Sequence, residues 1–164
     1  GEPAAIAQQW QALLQRGVAP LGEEAAEMLR VEAGVPAFEF ELNDKHNPWE
    51  AGLDDAIHMD KGCYIGQEVI ARLDTYDKVK QRLVGLRVED GPPPVRGAAV
   101  MAGDRQVGEV TSAILSPRLE SVVALAYLRN THCAPGTHLV ISSSSAESTD
   151  IAAEVIELPV TAGA

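Results

Sequence analysis

Eight consecutive residues, Lys61-Gly62-Cys63-Tyr64-Ile65-Gly66-Gln67-Glu68, set one thiol between two glycines and two positions from a lysine. Val69, Ile70, Leu73 and Tyr76 follow at the spacing of one helical face. Gly66 suits an N-cap, and Glu68 puts an acid in the first turn, where the helix dipole favours it. Cys63 therefore falls just outside a helix N-terminus. Unpaired N–H groups and the nearby Lys61 cation both favour thiolate over thiol, so the pair Cys63 and Lys61 is the candidate catalytic unit. The alternative is a small buried cysteine in a tight turn.

Other chemistry is sparse. Cys133, the second cysteine, follows His132 and precedes Ala-Pro-Gly, which is turn composition. It has no following helical pattern and no neighbouring lysine. Two cysteines seventy positions apart make no disulfide framework, and without a C-x-x-C pair the sequence offers no zinc or cluster ligand set. No Ser-His-Asp order, Walker loop, dinucleotide-binding glycine pattern or H-E-x-x-H occurs. His46 and His58 stand alone and read as structural or exposed.

The 164 residues carry a net charge of −11, which argues against generic binding to nucleic acid or an anionic membrane. The charge is uneven: residues 1–60 hold 3 basic and 12 acidic side chains, 61–105 hold 8 and 6, and 106–164 hold 2 and 6. The cysteine motif thus opens the one segment that is not acidic. Lys61, Arg72, Lys78, Lys80, Arg82 and Arg87 could face an anion, or simply a solvated surface. At 46% hydrophobic and 4% aromatic residues, the composition is globular, with a core of aliphatic side chains. No apolar run approaches the roughly 20 residues of a bilayer span. The chain opens Gly-Glu-Pro, without an initiator Met or a signal-peptide pattern. We therefore expect a cytoplasmic protein, and a cleaved chain or a fragment.

The elements that must position these groups fall into two unlike halves. Ile6, Trp10, Leu13 and Leu14 predict an amphipathic helix over roughly 4–16, closed by Gly17. A second helix is expected from about 23 to 33, with Ala26, Leu29 and Ala33 on one face and Gly34 and Pro36 ending it. Residues 37–52 read as irregular, and a short extended piece near 53–59 leads into the motif. From about residue 78, β-like runs near 80–89, 97–102, 105–115, 121–128, 137–143 and 150–158 alternate with turn signals. These suit a small antiparallel barrel or sandwich, with the Ser142–Ser145 run as a hairpin loop. Two helices and about one strand cannot bury a sheet's faces, so the first half is too thin to stand alone.

The run K-G-C-Y-I-G-Q-E-V-I-A-R resembles the motif of the YgfZ-type folate-binding proteins, relatives of the aminomethyltransferase (T-protein) of the glycine cleavage system. The resemblance extends to L-R-V-E-A-G-V-P at 29–36, N-P-W-E-A-G-L at 47–53, D-K-V-K-Q-R-L-V-G-L at 77–86, V-G-E-V-T-S-A at 107–113 and A-L-A-Y-L at 124–128. It implies an α+β chain. Residues 1–77 would be the C-terminal part of a T-protein-like α/β folate-binding domain, and 78–164 a small antiparallel six-stranded β-barrel. Family members are about twice this length, so the resemblance implies that the N-terminal domain, with much of the folate site, is absent here. This chain alone is then expected to bind tetrahydrofolate weakly.

The resemblance assigns the working thiol to Cys63 beside Lys61, and folate contacts to Arg30, Glu32, Tyr64 and Gln67. Arg30 has a plainer alternative, a surface ion pair with Glu27 one turn away. Glu50 borders the same region by a weaker match, and Trp49 reads as packing. The function implied is a tetrahydrofolate-binding factor for assembly or repair of iron–sulfur clusters in client proteins, among them a tRNA-modifying enzyme. Neither direct nucleic-acid binding nor membrane association is expected. An aminomethyltransferase moving a one-carbon unit to tetrahydrofolate is the enzymatic alternative, although T-proteins lack the motif cysteine. A non-catalytic interaction fragment is the third.

Overall fold

The structure, a computed structural model, describes residues 2–75, 79–142 and 150–160. Helix α1 spans Pro3–Gln15, α2 spans Glu23–Ala33 and α3 spans Gln67–Thr75, with a 3-10 turn at Asp54–Ala56. Six strands follow: β1 Gln81–Val88, β2 Ala99–Ala102, β3 Arg105–Ser116, β4 Ser121–Arg129, β5 His138–Ser142 and β6 Ile151–Ile156. They close into a barrel in the order β1-β4-β3-β2-β5-β6, every pair antiparallel. Of the two all-β forms the strand pattern allowed, the chain adopts the barrel, and closure leaves no exposed sheet edge.

The barrel interior is aliphatic. Leu86, Val88, Val100, Val110, Leu128, Ile141 and Val155 fill it, with Ala124, Ala126 and Ala153 where strands approach closely. Gly108 is required by such an approach, since a Cβ there would lie 2.2 Å from the Tyr127 carbonyl oxygen. A β-bulge at Thr111 then changes the phase of β3. Before it, Gly108 and Val110 oppose the inward residues Leu128 and Ala126; after it, Ala113 opposes the inward Ala124. Ser112 and Ile114 thereby oppose Leu125 and Val123, on the outer wall. Because side chains alternate strictly along a strand, one extra residue exchanges the two faces.

That outer wall is covered. Val31 of α2 packs with Ile114, Val123, Leu125 and Val160 in a second apolar cluster, and Val160 N–H donates to the Glu32 carbonyl at 2.7 Å. Strand β4 is consequently buried from Val122 to Leu128 without alternation. The helix face differs from the one expected. Ala26, Leu29 and Ala33 are exposed, whereas Val31 and Glu32 are buried. The wall presents serines as well as aliphatics, so α2 turns its Arg30, Val31 and Glu32 side towards it. Gly34 closes α2 in the left-handed region at φ 69°, as its position suggested.

Helix α1 forms where its periodicity places it, but none of its residues is buried; Ile6, Trp10, Leu13 and Leu14 have no covering element among the described residues. The stretch expected to be extended near 53–59 contains the 3-10 turn, because Asp54-Asp55-Ala56 closes on Leu53 and Asp54 carbonyls. The expectations for Tyr76 on the α3 face, for Lys78, for most of the Ser142–Ser145 run and for a boundary between residues 77 and 78 lie outside the described residues.

The two-sided burial of β4 has a measurable consequence. Leu125→Ala should destabilise the chain by about 2–5 kcal/mol in urea unfolding, the range for a fully buried leucine. The same substitution in a fragment of residues 79–164, which lacks α2, should cost well under half as much. Equal costs would show that α2 does not cover this wall.

Candidate functional site

The residues singled out from the sequence occupy two separate places. Cys63, Lys61, Tyr64 and Gln67 lie in the loop and first turn that open α3. Gly66, at φ 91°, accepts the Ile70 N–H, and the Gln67 side-chain oxygen accepts the Tyr64 N–H at 3.3 Å. The Lys61 ammonium sits 4.6 Å from the centre of the Tyr64 ring. Lys61, Tyr64 and Gln67 border a shallow hollow of about 200 Å³ with Met59, Glu68 and Ala71. Cys63 is a free, exposed thiol. Among the described residues of the face expected to point inward, Ile70 is buried and Val69 is 59% exposed.

Cys133 is also free but sits differently. It is partly buried against the barrel core, its thiol donates towards the Leu128 and Arg129 carbonyls at 3.5 and 3.3 Å, and burial pushes its pKa up.

Arg30 and Glu32 lie instead where α2 meets the barrel. The Arg30 guanidinium makes five hydrogen bonds, as many as it has N–H groups. Nε donates to Glu27 Oε2 at 2.8 Å and Nη2 to Glu27 Oε1 at 2.5 Å; Nη1 donates to the Val35 carbonyl at 2.8 Å and to Glu41 Oε2 at 3.0 Å; Nη2 also reaches Ser112 Oγ at 2.7 Å. Pairing with Glu27, opposed by burial and aided by Glu41, raises its already high pKa, and the bond from Arg30 holds the Glu27 carboxyl below its usual range. The expected one-turn ion pair with Glu27 is thus present, as one side of a larger network.

Glu41 is the centre of that network. It is fully buried; Ser112 Oγ–H donates to Oε1 at 2.6 Å, while Arg30 Nη1 and the Ala37 N–H, at 2.9 Å, donate to Oε2. Its backbone carbonyl accepts the Tyr127 hydroxyl at 3.0 Å. Burial, with Glu41 and Glu50 nearby, raises the Tyr127 pKa well above that of a free phenol. Glu32 is tied separately, its Oε1 accepting the Ser116 hydroxyl at 2.5 Å. Glu41, Ser112 and Ser116 escaped the sequence reading, because a glutamate in an irregular stretch and two strand serines give no local sign of burial.

His46 is neither isolated nor exposed. Its ring stacks on Tyr127 with centroids 3.6 Å apart and planes within 13°. Nδ1 is 3.0 Å from Gln81 Nε2 and 3.9 Å from Glu50 Oε2, and burial lowers its pKa although Glu50 opposes the shift. Glu50 is buried beside it, accepting the Asn47 N–H at 3.2 Å. Phe40, half-exposed, carries the Arg96 guanidinium 3.6 Å from its ring centre and that of Arg30 at 5.7 Å on another approach.

Phe40, Arg30 and Arg96 are the residues here whose chemistry could meet tetrahydrofolate. An exposed aromatic ring with two guanidinium groups within about 6 Å of its centre suits an aromatic ligand bearing carboxylates. Arg30 would give up a bond within the protein to make one to the ligand. The hollow beside the α3 loop shares no bordering residue with the one at Phe40 and Arg96.

Two outcomes test this geometry. Arg30→Ala should cost about 3–5 kcal/mol, the penalty for orphaning a buried charge. Glu41→Gln in the same chain should recover part of it, so a double-mutant cycle returns strong coupling; additive costs would contradict the network. For His46 the folded pKa is depressed. Its contribution to stability is therefore complete above the unfolded value, about 6.5, and is lost as pH falls from there through the folded pKa. His46→Phe, which retains a ring against Tyr127, should flatten the pH dependence of the urea midpoint in that window.

Residues 81–161 match the glycine cleavage T-protein C-terminal barrel domain. The chain is 39% identical over 141 residues to an aminomethyltransferase of Symbiobacterium thermophilum, covering 83% of this chain and 37% of that protein. It is 36% identical to a chloroplastic transferase-like protein of Arabidopsis thaliana, over 96% of this chain and 34% of the relative. The fold is similar to the crystal structure of the glycine cleavage system aminomethyltransferase T of Bartonella henselae, with a TM-score of 0.82 at 24% identity, covering 95% of this chain and 43% of that one. This chain spans a little over a third of the length of the curated relatives it matches.

Proposed function

The C-terminal part of this chain belongs to the glycine cleavage T-protein family, and from that premise we propose that the complete protein is a tetrahydrofolate-binding factor of the YgfZ type. In this reading it supports assembly or repair of iron–sulfur clusters in client proteins, including a tRNA-modifying enzyme. The observation that carries it is the exposed, free thiol of Cys63 on the K-G-C-Y-I-G-Q loop, with a cation–ring pair of Lys61 and Tyr64 flanking Gly62-Cys63. A thiol that faces solvent from a glycine-flanked turn is open to a partner protein's sulfur or metal centre. A thiol partly buried and bonded to backbone carbonyls, as Cys133 is, is less so.

Within such a protein, Arg30, Phe40 and Arg96 would form the barrel-side wall for the folate, and the rest of the site would come from outside this chain. Tetrahydrofolate would bring a carrier for one-carbon units; this chain's residues would orient it and exclude water from one side. The similarity to aminomethyltransferases supports a second reading, in which the complete protein transfers an aminomethyl-derived carbon to tetrahydrofolate. That reading gives the exposed cysteine no task.

The two separate in one experiment. At neutral pH, Cys63 should alkylate well before Cys133, read by mass spectrometry of the intact chain. In cells, Cys63→Ser in the complete protein should abolish its support of iron–sulfur enzyme activity, while Cys133→Ser leaves it intact. Full support by Cys63→Ser, with robust turnover of an aminomethylated carrier protein, would favour the aminomethyltransferase instead.

A further inference from the structure

The barrel ladders end at Ile156, and the residues beyond it serve a different surface. Residues 157–160 form an irregular strap in which Glu157 and Pro159 are exposed, Leu158 is partly buried and Val160 is buried. Leu158 and Val160 pack with Val31 of α2 and with Ile114, Val123 and Leu125 on the outer wall. Among the described residues, neither belongs to the cluster that fills the barrel interior.

Two glycines make the seat of Leu158. One is Gly34, which closes α2, and the other is Gly85, in the middle of β1. A Cβ on Gly34 would stand 2.8 Å from Leu158 Cδ1 and 2.9 Å from Leu158 Cβ. A Cβ on Gly85 would stand 2.9 Å from Leu158 Cδ2 and 3.0 Å from Ile156 Cγ1. Neither position has room for a methyl group while Leu158 is in place. Gly34 has a second reason to be glycine, its left-handed backbone. Gly85 lies in an ordinary strand, where glycine is unfavourable relative to alanine, so the close approach of Leu158 accounts for it.

Polar bonds fasten the end of the strap. The Val160 N–H donates to the Glu32 carbonyl at 2.7 Å, in the last turn of α2. That carbonyl has no donor within the helix, because the residue four positions on is Pro36, which lacks an N–H. The Val160 carbonyl accepts Arg118 Nη1 at 3.2 Å, from the turn between β3 and β4. The strap thus joins α2, β1 and the β3–β4 turn, and adds nothing to the ladders that close the barrel. We propose that residues 157–160 are a clasp. Seated, they hold α2 on the outer wall; lifted, they release α2 with Arg30 while the barrel stays closed.

Lifting the strap strips Val31 of the cover that Leu158 and Val160 provide and leaves the Glu32 carbonyl without its donor. What then holds α2 is the polar network of Arg30 with Ser112 and Glu41, whose bonds water can replace. Anything that draws an Arg30 N–H away from that network favours the released state. It therefore also favours the lifted strap, and the coupling runs equally in the other direction. The clasp is a consequence of packing and holds whatever the ligand near Arg30 is.

Native-state hydrogen exchange of the 164-residue chain, resolved amide by amide, tests the clasp. The amides of α2 and of Val160 should share one opening constant, larger than that of β2 and β5. Leu158→Ala should raise it at least about tenfold, a modest value for truncating a partly buried leucine. Ile141→Val, inside the barrel, should speed exchange in β2 and β5 several-fold and leave α2 and Val160 unchanged, because the released state keeps its barrel. Gly85→Ala puts a methyl group in the seat and should speed α2 exchange in the otherwise unsubstituted chain. It should add nothing in a chain that already carries Leu158→Ala. An equal further increase there would place the clash elsewhere and overturn the proposal. So would a single opening constant for α2 and the barrel, or a Leu158→Ala chain without protected barrel amides, since the strap would then be part of the barrel itself. Unchanged α2 exchange in Leu158→Ala would show that nothing is clasped.

Discussion

A carboxylate with no solvent exposure, that of Glu41, is the constraint around which the helical half and the barrel are joined. A buried charge is tolerated only if it is paired and its lone pairs are filled, and the donors here come from a helix, a strand and the adjoining turn. Arg30 reaches it from α2, Ser112 from β3, and the Ala37 N–H from the turn that leads into it. Arg30 in turn binds Glu27, Val35 and Ser112, so moving any one element breaks bonds in the others. The Tyr127 hydroxyl fixes the Glu41 backbone to β4. The non-strand segment 37–50 is therefore held against the barrel by polar bonds at Glu41 and by the stacking of His46 on Tyr127, while α2 adds the aliphatic contact through Val31.

The bulge at Thr111 makes that junction possible. A closed barrel normally presents an alternating strand with one buried face. Shifting the phase of β3 in mid-strand keeps Val110 and Ala113 inside while turning Ser112, Ile114 and Ser116 outwards, where Arg30, Val31 and Glu32 meet them. One inserted residue thus matches a polar, apolar and polar row on the strand to the same alternation on the helix. Thr111 itself is not left orphaned, since its hydroxyl donates to the Leu125 carbonyl at 3.1 Å.

Function divides along the same line. The network at Arg30 and Glu41 is structural chemistry, saturated within the protein and bordered by an aromatic ring that a ligand could reach. The thiol at Cys63 lies elsewhere, on the loop that opens α3. A T-protein-type barrel serves here as a platform whose outer surface, not its filled interior, carries the groups free to act.

The sequence by itself determined the local features, because they depend on near neighbours. The six strands, the end of α2 at Gly34 and the helix start after Gly66 all follow from spacing or from glycine and proline chemistry. Partner choice was decided only in three dimensions. The periodicity of α2 marked Ala26, Leu29 and Ala33 as its inward face, but periodicity ranks residues by apolarity, and the wall that α2 meets is half serine. Glu41, Ser112 and Ser116 carry no local mark of burial, since each is satisfied by a donor or acceptor tens of residues away. Arg30 showed its pairing with Glu27 because that partner is one helical turn distant; its bond to Ser112, 82 positions on, required the barrel to close and the strand to bulge.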